Sequence, residues 1–142
     1  MDLNEFKNRI NQKEQSLNVK IKENDTSEEL TYIIKNQTTF WRAQTLFTKE
    51  PVTIKWIKSF VKDKILFDVG ANVGMYSIFA AKVSKVKVYS FEPESNNFNT
   101  LIENIISNDL MDKVNAYPIA VSDKSGFTSL YLSKFETGSS HH

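Results

Sequence analysis

The stretch Asp68-Val69-Gly70-Ala71-Asn72-Val73-Gly74 restricts what this chain can fold into more than any other. Ile65-Leu66-Phe67 stands before it, a short apolar run that reads as a buried strand. After it, Met75, Ile78, Phe79 and Val83 recur at helical spacing. Strand, glycine-bearing turn and helix together form the entrance to a nucleotide-type site, in which backbone N–H groups at the helix start face a ligand. Glycine has a chemical reason at both positions. One permits a positive φ, and the other lets a ligand or the helix approach with no Cβ between. The chain holds four glycines and two of them fall in this turn, a concentration that points to a local purpose.

From residue 64 onward the pattern is one of alternating strands and helices. Val86-Lys87-Val88-Tyr89-Ser90-Phe91 alternates as a second strand and ends at Glu92-Pro93. Phe98, Leu101, Ile102 and Ile105 give the next helix its apolar stripe. Val114-Asn115-Ala116-Tyr117, leading into Pro118-Ile119-Ala120, reads as a third strand, and Phe127–Leu132 as a fourth after a turn at Ser125-Gly126. Such alternation implies an α/β fold with a parallel sheet and right-handed crossovers.

The leading region reads as mostly helical. Leu3, Phe6, Ile10 and Leu17 suggest a first amphipathic helix. Thr26 followed by Glu29 fits a capping box, opening a helix with Leu30, Ile33, Ile34 and Gln37 on one face. Pro51 suits the first turn of a shorter helix carrying Ile54, Ile57, Phe60 and Val61, with Lys55, Lys58 and Lys62 on a solvated side. Residues 1–60 are therefore expected to form a helical cap on an α/β unit spanning 61–142. Phe40, Trp41 and Phe47 are expected in the core.

A chain of 142 residues has the length of one domain. Its net charge of +1 argues against a nucleic-acid partner or an anionic membrane. No stretch approaches the roughly 18–20 apolar residues that span a bilayer. The charged start, Met1-Asp2-Leu3-Asn4-Glu5, lacks the apolar run of a secretory signal, so the cytoplasm is the expected compartment. Absent cysteine excludes disulfides and thiolate chemistry. His141 and His142 alone do not make a metal site, since tetrahedral zinc needs three or four ligands, and no metal is expected.

The turn discriminates between ligands. It lacks the Lys-Ser/Thr ending of a P-loop, and Asn72 stands where Gly-x-Gly-x-x-Gly needs its second glycine. Asp68 at the strand end would repel a pyrophosphate. S-adenosylmethionine suits the position better, because it carries an ammonium and a sulfonium and no phosphate. Glu92, at the end of the second strand, is placed to accept hydrogen bonds from both ribose hydroxyls, as the acidic residue does in dinucleotide folds. Pro93 then offers a rigid apolar surface to the adenine face.

Asp68 through Ser77, then Phe91-Glu92-Pro93, then Phe98 through Leu101 to Asn104, with Ala120-Val121-Ser122-Asp123 beyond, resembles the FkbM-type methyltransferase family over roughly residues 47 to 132. The resemblance implies a Rossmann-like class I methyltransferase fold, S-adenosylmethionine as cofactor, and methylation of oxygen on a sugar or small metabolite. By position it makes Asp68, Gly70, Asn72 and Gly74 the methionine-side loop and Glu92 the ribose ligand. Ala120 and Asp123 would border the adenine. Glu50 matches the acidic residue that precedes the first strand in this family and would face the methionine end. Asn104 and Asn108 match helix asparagines of the family, which capping or turn roles explain equally well.

The family's later Asp-x-Glu-Gly segment has no counterpart here, and the first strand is expected to have a neighbour on one side only. Apolar strands with a free edge associate. Either a homodimer, or a C-terminal half supplied by a longer parent protein, is therefore expected. The cofactor half is present, the acceptor-positioning half mostly is not, and no residue qualifies as catalytic base. The competing reading is a non-catalytic cofactor-binding or assembly module of a larger glycan-modifying protein.

Overall fold

Two separate sheets organise the chain. The computed structural model describes residues 2–11, 17–131 and 136–139. After helix α1 (Leu3–Asn11), strands β1 (Leu17–Lys22) and β2 (Glu29–Ile34) form an antiparallel hairpin, with Leu17 opposite Ile34 and Lys22 opposite Glu29. Helices α2 (Gln37–Gln44) and α3 (Pro51–Lys58) follow. The second sheet then begins with β3 (Ile65–Val69), followed by α4 (Met75–Phe79), which continues as a π-helical turn over Ala80–Ser84. Next come β4 (Lys87–Phe91), α5 (Ser95–Ser107) and β5 (Val114–Tyr117). These strands are parallel in the order β3-β4-β5, with Ile65 beside Lys87 and Val88 beside Val114.

The strand–turn–helix reading of the second half holds as far as β5. Four readings of local structure need correction. Residues 29–34 form a strand and not a helix. Leu30, Ile33 and Ile34 satisfy a helical spacing, but Leu30, Tyr32 and Ile34 also alternate, and all three are buried on pairing with β1. Thr26 caps nothing; its N–H and hydroxyl both donate to Glu23 Oε2 within the hairpin turn, at 2.7 and 2.9 Å. The capping box forms instead at Asn36 and Thr39, at the start of α2. Leu17 belongs to β1 and not to the first helix. Phe127–Tyr131 is exposed and carries no strand, while Leu132 lies outside the described residues.

Among the described residues β2 is held on its outer side by side chains and not by another strand. Asn108 accepts from Thr31 N at 2.9 Å and donates to Thr31 O at 2.7 Å, reproducing both hydrogen bonds of a neighbouring strand. One turn earlier on α5, Asn104 accepts from Ile33 N and donates to Val73 O, each at 2.7 Å. Both asparagines are buried. They tie the hairpin to α5 and α5 to the glycine turn, a structural role for both residues.

One continuous cluster of buried side chains runs from Phe6, Leu30, Tyr32 and Ile34 to Ile78, Phe79, Val88 and Leu101. The leading region and the parallel sheet thus share a core. The Tyr32 hydroxyl donates to Met75 O at 2.9 Å inside it. Phe40 stacks on Phe6 and Phe47 meets Phe79 edge-on, so both are packed as expected. Trp41 is not: it is 47% exposed.

Among the described residues the parallel sheet is covered on one face only. Leu66, Val88 and Ser90 are buried beneath the helices, whereas Ile65, Phe67 and Val69 on the opposite face are more than half exposed. On that face Phe67, Tyr89, Phe91 and Tyr117 stack with centroid separations of 5.4–6.4 Å. Parallel sheets are normally covered on both faces. Among the described residues β3 pairs on one side only. No described helix is long and apolar enough to cross a membrane.

Candidate functional site

The turn between β3 and α4 is stapled to the end of β4. Gly70 N and Ala71 N both donate to Phe91 O, at 2.9 and 3.0 Å. Gly70 has φ +77° and nothing lies within 4 Å of the place a Cβ would occupy, so the backbone here faces open space. Gly74 also has a positive φ, +82°, but an added Cβ there would overlap Leu101 Cδ1. One glycine therefore clears room in front of the turn, and the other lets α5 pack behind it.

Asn72, at φ +52°, completes the turn. Its side-chain Oδ1 accepts from Val73 N at 2.9 Å, a local bond that stabilises the left-handed conformation. Its own N–H donates to Glu92 Oε2 at 2.7 Å. The other carboxylate oxygen, Oε1, accepts from Glu94 N at 2.9 Å. Glu92 is 2% exposed, and it locks the turn after β3 to the turn after β4. Glu94 in turn caps α5, accepting from Asn96 N and Asn97 N at 3.0 and 2.8 Å.

Asp68 closes β3 on the helix side of the sheet. Its Oδ2 accepts from the Ser77 hydroxyl at 2.5 Å, and the Ser77 and Ser90 hydroxyls share a hydrogen bond of 2.7 Å. Burial raises the Asp68 pKa above its ordinary value; hydrogen bonds from Ser77 pull it back, and the charge of Glu92 adds a further upward push. The two carboxylates thus bring negative charge to the same end of the sheet.

Glu50 lies on the other flank, at the N-terminal boundary of α3, where Thr53 Oγ1 donates to it at 3.2 Å. Glu50 shares a small cavity with Arg42 and Tyr76. Burial, the Glu50 charge and a hydrogen bond to Glu50 push the Tyr76 hydroxyl up to about 12, so it is a donor and not a base at neutral pH. Burial lowers the Arg42 pKa, opposed by Tyr76, Glu50 and Glu92. Arg42 Nε donates to Gly138 O at 2.5 Å.

Residues 136–139 lie across this region. Asn72 Nδ2 donates to Ser139 O at 2.7 Å, Gly138 N donates to Asn97 Oδ1 at 2.6 Å, and Asn36 Nδ2 donates to Thr137 O at 2.8 Å. His141 and His142 lie outside the described residues. Among the described residues no group of three or more His, Cys, Asp or Glu is arranged to hold a metal ion.

Pro93, Ala120 and Asp123 line a separate cavity of about 680 Å3, together with Pro118 and Ile119. The Ser122 hydroxyl donates to Asp123 Oδ1 at 3.1 Å. The structure therefore joins Asp68, Gly70, Asn72, Gly74 and Glu92 around one turn. It groups Pro93, Ala120 and Asp123 beyond the end of β4, and it connects Glu50 to the turn only through Tyr76 and Arg42. Sequence reasoning did not single out Arg42, Tyr76, Ser77, Glu94 or Asn97 as site residues. Tyr76 and Ser77 had a signal, since they follow the turn directly; Arg42, on an unremarkable stretch of α2, had none.

No family model matches the chain. Hexuronic acid methyltransferase AglP of Haloferax volcanii is 27% identical over 73 residues, which make up 51% of this chain and 30% of that protein. Among solved structures, Pyrococcus horikoshii TYW2 in complex with MeSAdo has a TM-score of 0.54 at 22% identity, covering 79% of this chain and 39% of that one. PH0793 of the same organism has a TM-score of 0.52 at 25% identity, covering 72% of this chain and 36% of that one. The chain spans well under half the length of each of these three proteins. The fold is Rossmann-like, of the class I methyltransferase kind, and β3-β4-β5 is its parallel sheet.

Proposed function

We propose that the chain binds S-adenosylmethionine at the Asp68–Gly74 turn and forms the cofactor-binding part of an FkbM-type O-methyltransferase acting on a sugar or small metabolite. The observation that carries this reading is the Glu92 carboxylate, buried and fixed by the N–H groups of Asn72 and Glu94, beside a half-buried Asp68. The residues fit the cofactor. Open space in front of Gly70 admits a ligand against the backbone. Asp68 and Glu92 together disfavour a phosphate and favour a cation. The cofactor would supply a methyl group made electrophilic by its sulfonium.

In this reading Asp68, Gly70, Asn72 and Gly74 hold the methionine end and Glu92 orients the ribose through its remaining lone pairs. Pro93, Ala120 and Asp123 border the adenine, for which their shared cavity leaves room. Glu50 and Tyr76 flank the methionine end. Similarity to a hexuronic acid methyltransferase over half of the chain supports a sugar as acceptor. Calorimetry with S-adenosylhomocysteine tests the proposal. Binding by the wild-type chain is expected, with loss on Asp68→Ala or Glu92→Ala. A folded sample that binds none would remove it.

The exposed aromatic face of the sheet favours a second reading, in which the chain serves as an assembly module of a larger glycan-modifying protein. Light scattering distinguishes the two. A stable monomer counts against the module.

A further inference from the structure

The cavity on the far side of Tyr76 has a composition the cofactor does not need. It is bounded by Arg42, Thr45, Lys49, Glu50, Met75 and Tyr76 and measures about 40 Å3. One water needs roughly 10–15 Å3 on this measure, so the space suits a group of a few heavy atoms and not a sugar ring. Two of its residues are cations. Its one carboxylate, Glu50, already accepts from the Thr53 hydroxyl at 3.2 Å. Arg42 is committed to Gly138 O through Nε alone, and among the described residues no carboxylate pairs with the rest of its guanidinium. A guanidinium in that state presents a planar fork suited to a carboxylate.

Beside the cavity, Lys49 Nζ stands 5.1 Å from the centroid of the Trp41 ring. That indole is the half-exposed aromatic noted above, presented on α2 next to the cavity mouth. The face of an aromatic ring carries partial negative charge, which attracts the C–H groups along one side of a pyranose as it attracts the lysine. A flat aromatic surface, an adjacent exposed cation and a small cationic cavity together match a sugar that bears a carboxylate. They do not match a neutral sugar, which would leave the cations without partners.

We infer that Trp41, Arg42 and Lys49 form the acceptor subsite, and that the acceptor is an acidic sugar. Trp41 stacks on the ring while Arg42 and Lys49 take the carboxylate. The inference rests on the methyltransferase reading, because it is Tyr76 that joins this cavity to the Asp68 side.

Ligand-observed NMR on the full chain, saturated with S-adenosylhomocysteine, tests it with glucuronic acid and glucose as probes. Glucuronic acid should bind at least about tenfold more tightly than glucose. Lys49→Met and Trp41→Ala, both at exposed positions, should each weaken glucuronic acid about tenfold and leave S-adenosylhomocysteine affinity unchanged. Equal binding of the two sugars overturns the inference, as does glucuronic acid binding that is indifferent to Lys49→Met. If S-adenosylhomocysteine itself fails to bind a folded sample, the methyltransferase reading falls first and carries this one with it.

Discussion

Glu92 accepts from two backbone N–H groups that belong to different turns, so one carboxylate fixes the relative position of both. Glu92→Gln replaces one acceptor with an NH2 group facing an N–H. It should cost about 1–3 kcal/mol in urea unfolding, the usual consequence of a buried donor left unpaired. The glycines separate stability from binding. Gly74→Ala combines a positive φ with overlap on Leu101 and should destabilise by about 2–4 kcal/mol. Gly70→Ala meets open space, so the cost should be only the 1–2 kcal/mol or so of left-handed backbone, while S-adenosylhomocysteine affinity falls. Urea titration and calorimetry on the same two variants read both effects. The sequence exposed this site because glycine and acidic residues carry chemical reasons at fixed places. It concealed Arg42, whose importance depends on Gly138 and Glu50 arriving from elsewhere in the chain.

At the scale of elements, the parallel sheet was readable and the hairpin was not. Ile65–Phe67 and Val86–Phe91 are short β-branched and aromatic runs punctuated by Gly70 and Pro93, which leaves little ambiguity. Leu30, Ile33 and Ile34 fit helix and strand alike, and what decides between them is a partner strand plus two asparagines on a distant helix. Asn104→Ala or Asn108→Ala should each destabilise by about 1–3 kcal/mol, read by urea unfolding, since each leaves buried β2 groups unpaired. The hairpin turn also carries a pH-sensitive contact. Burial would raise the Glu23 pKa, but hydrogen bonds from Lys58 and Thr26 outweigh it and hold the carboxyl at about 2, against an ordinary value of 4.5. This contribution to stability is fully present above pH 4.5 and is lost as the pH falls from there towards 2. Glu23→Gln should flatten that part of the stability–pH curve.

For the molecule as a whole, the aromatic ladder on β3-β4-β5 governs behaviour in solution. Ile65, Phe67 and Val69 stand uncovered beside a strand edge with no described neighbour, and surfaces of this kind associate. Light scattering should show concentration-dependent self-association, reduced by the double substitution Phe67→Ser and Tyr117→Ser. A monomer at all concentrations would contradict this. The two sheets also differ in whether they can recruit a further strand. On β2 the outward N–H groups of Thr31 and Ile33 are already taken by amide side chains, so that edge is closed to a further strand. On β3 nothing comparable closes the row among the described residues. Between these two edges, strand addition should therefore occur at β3 and not at β2.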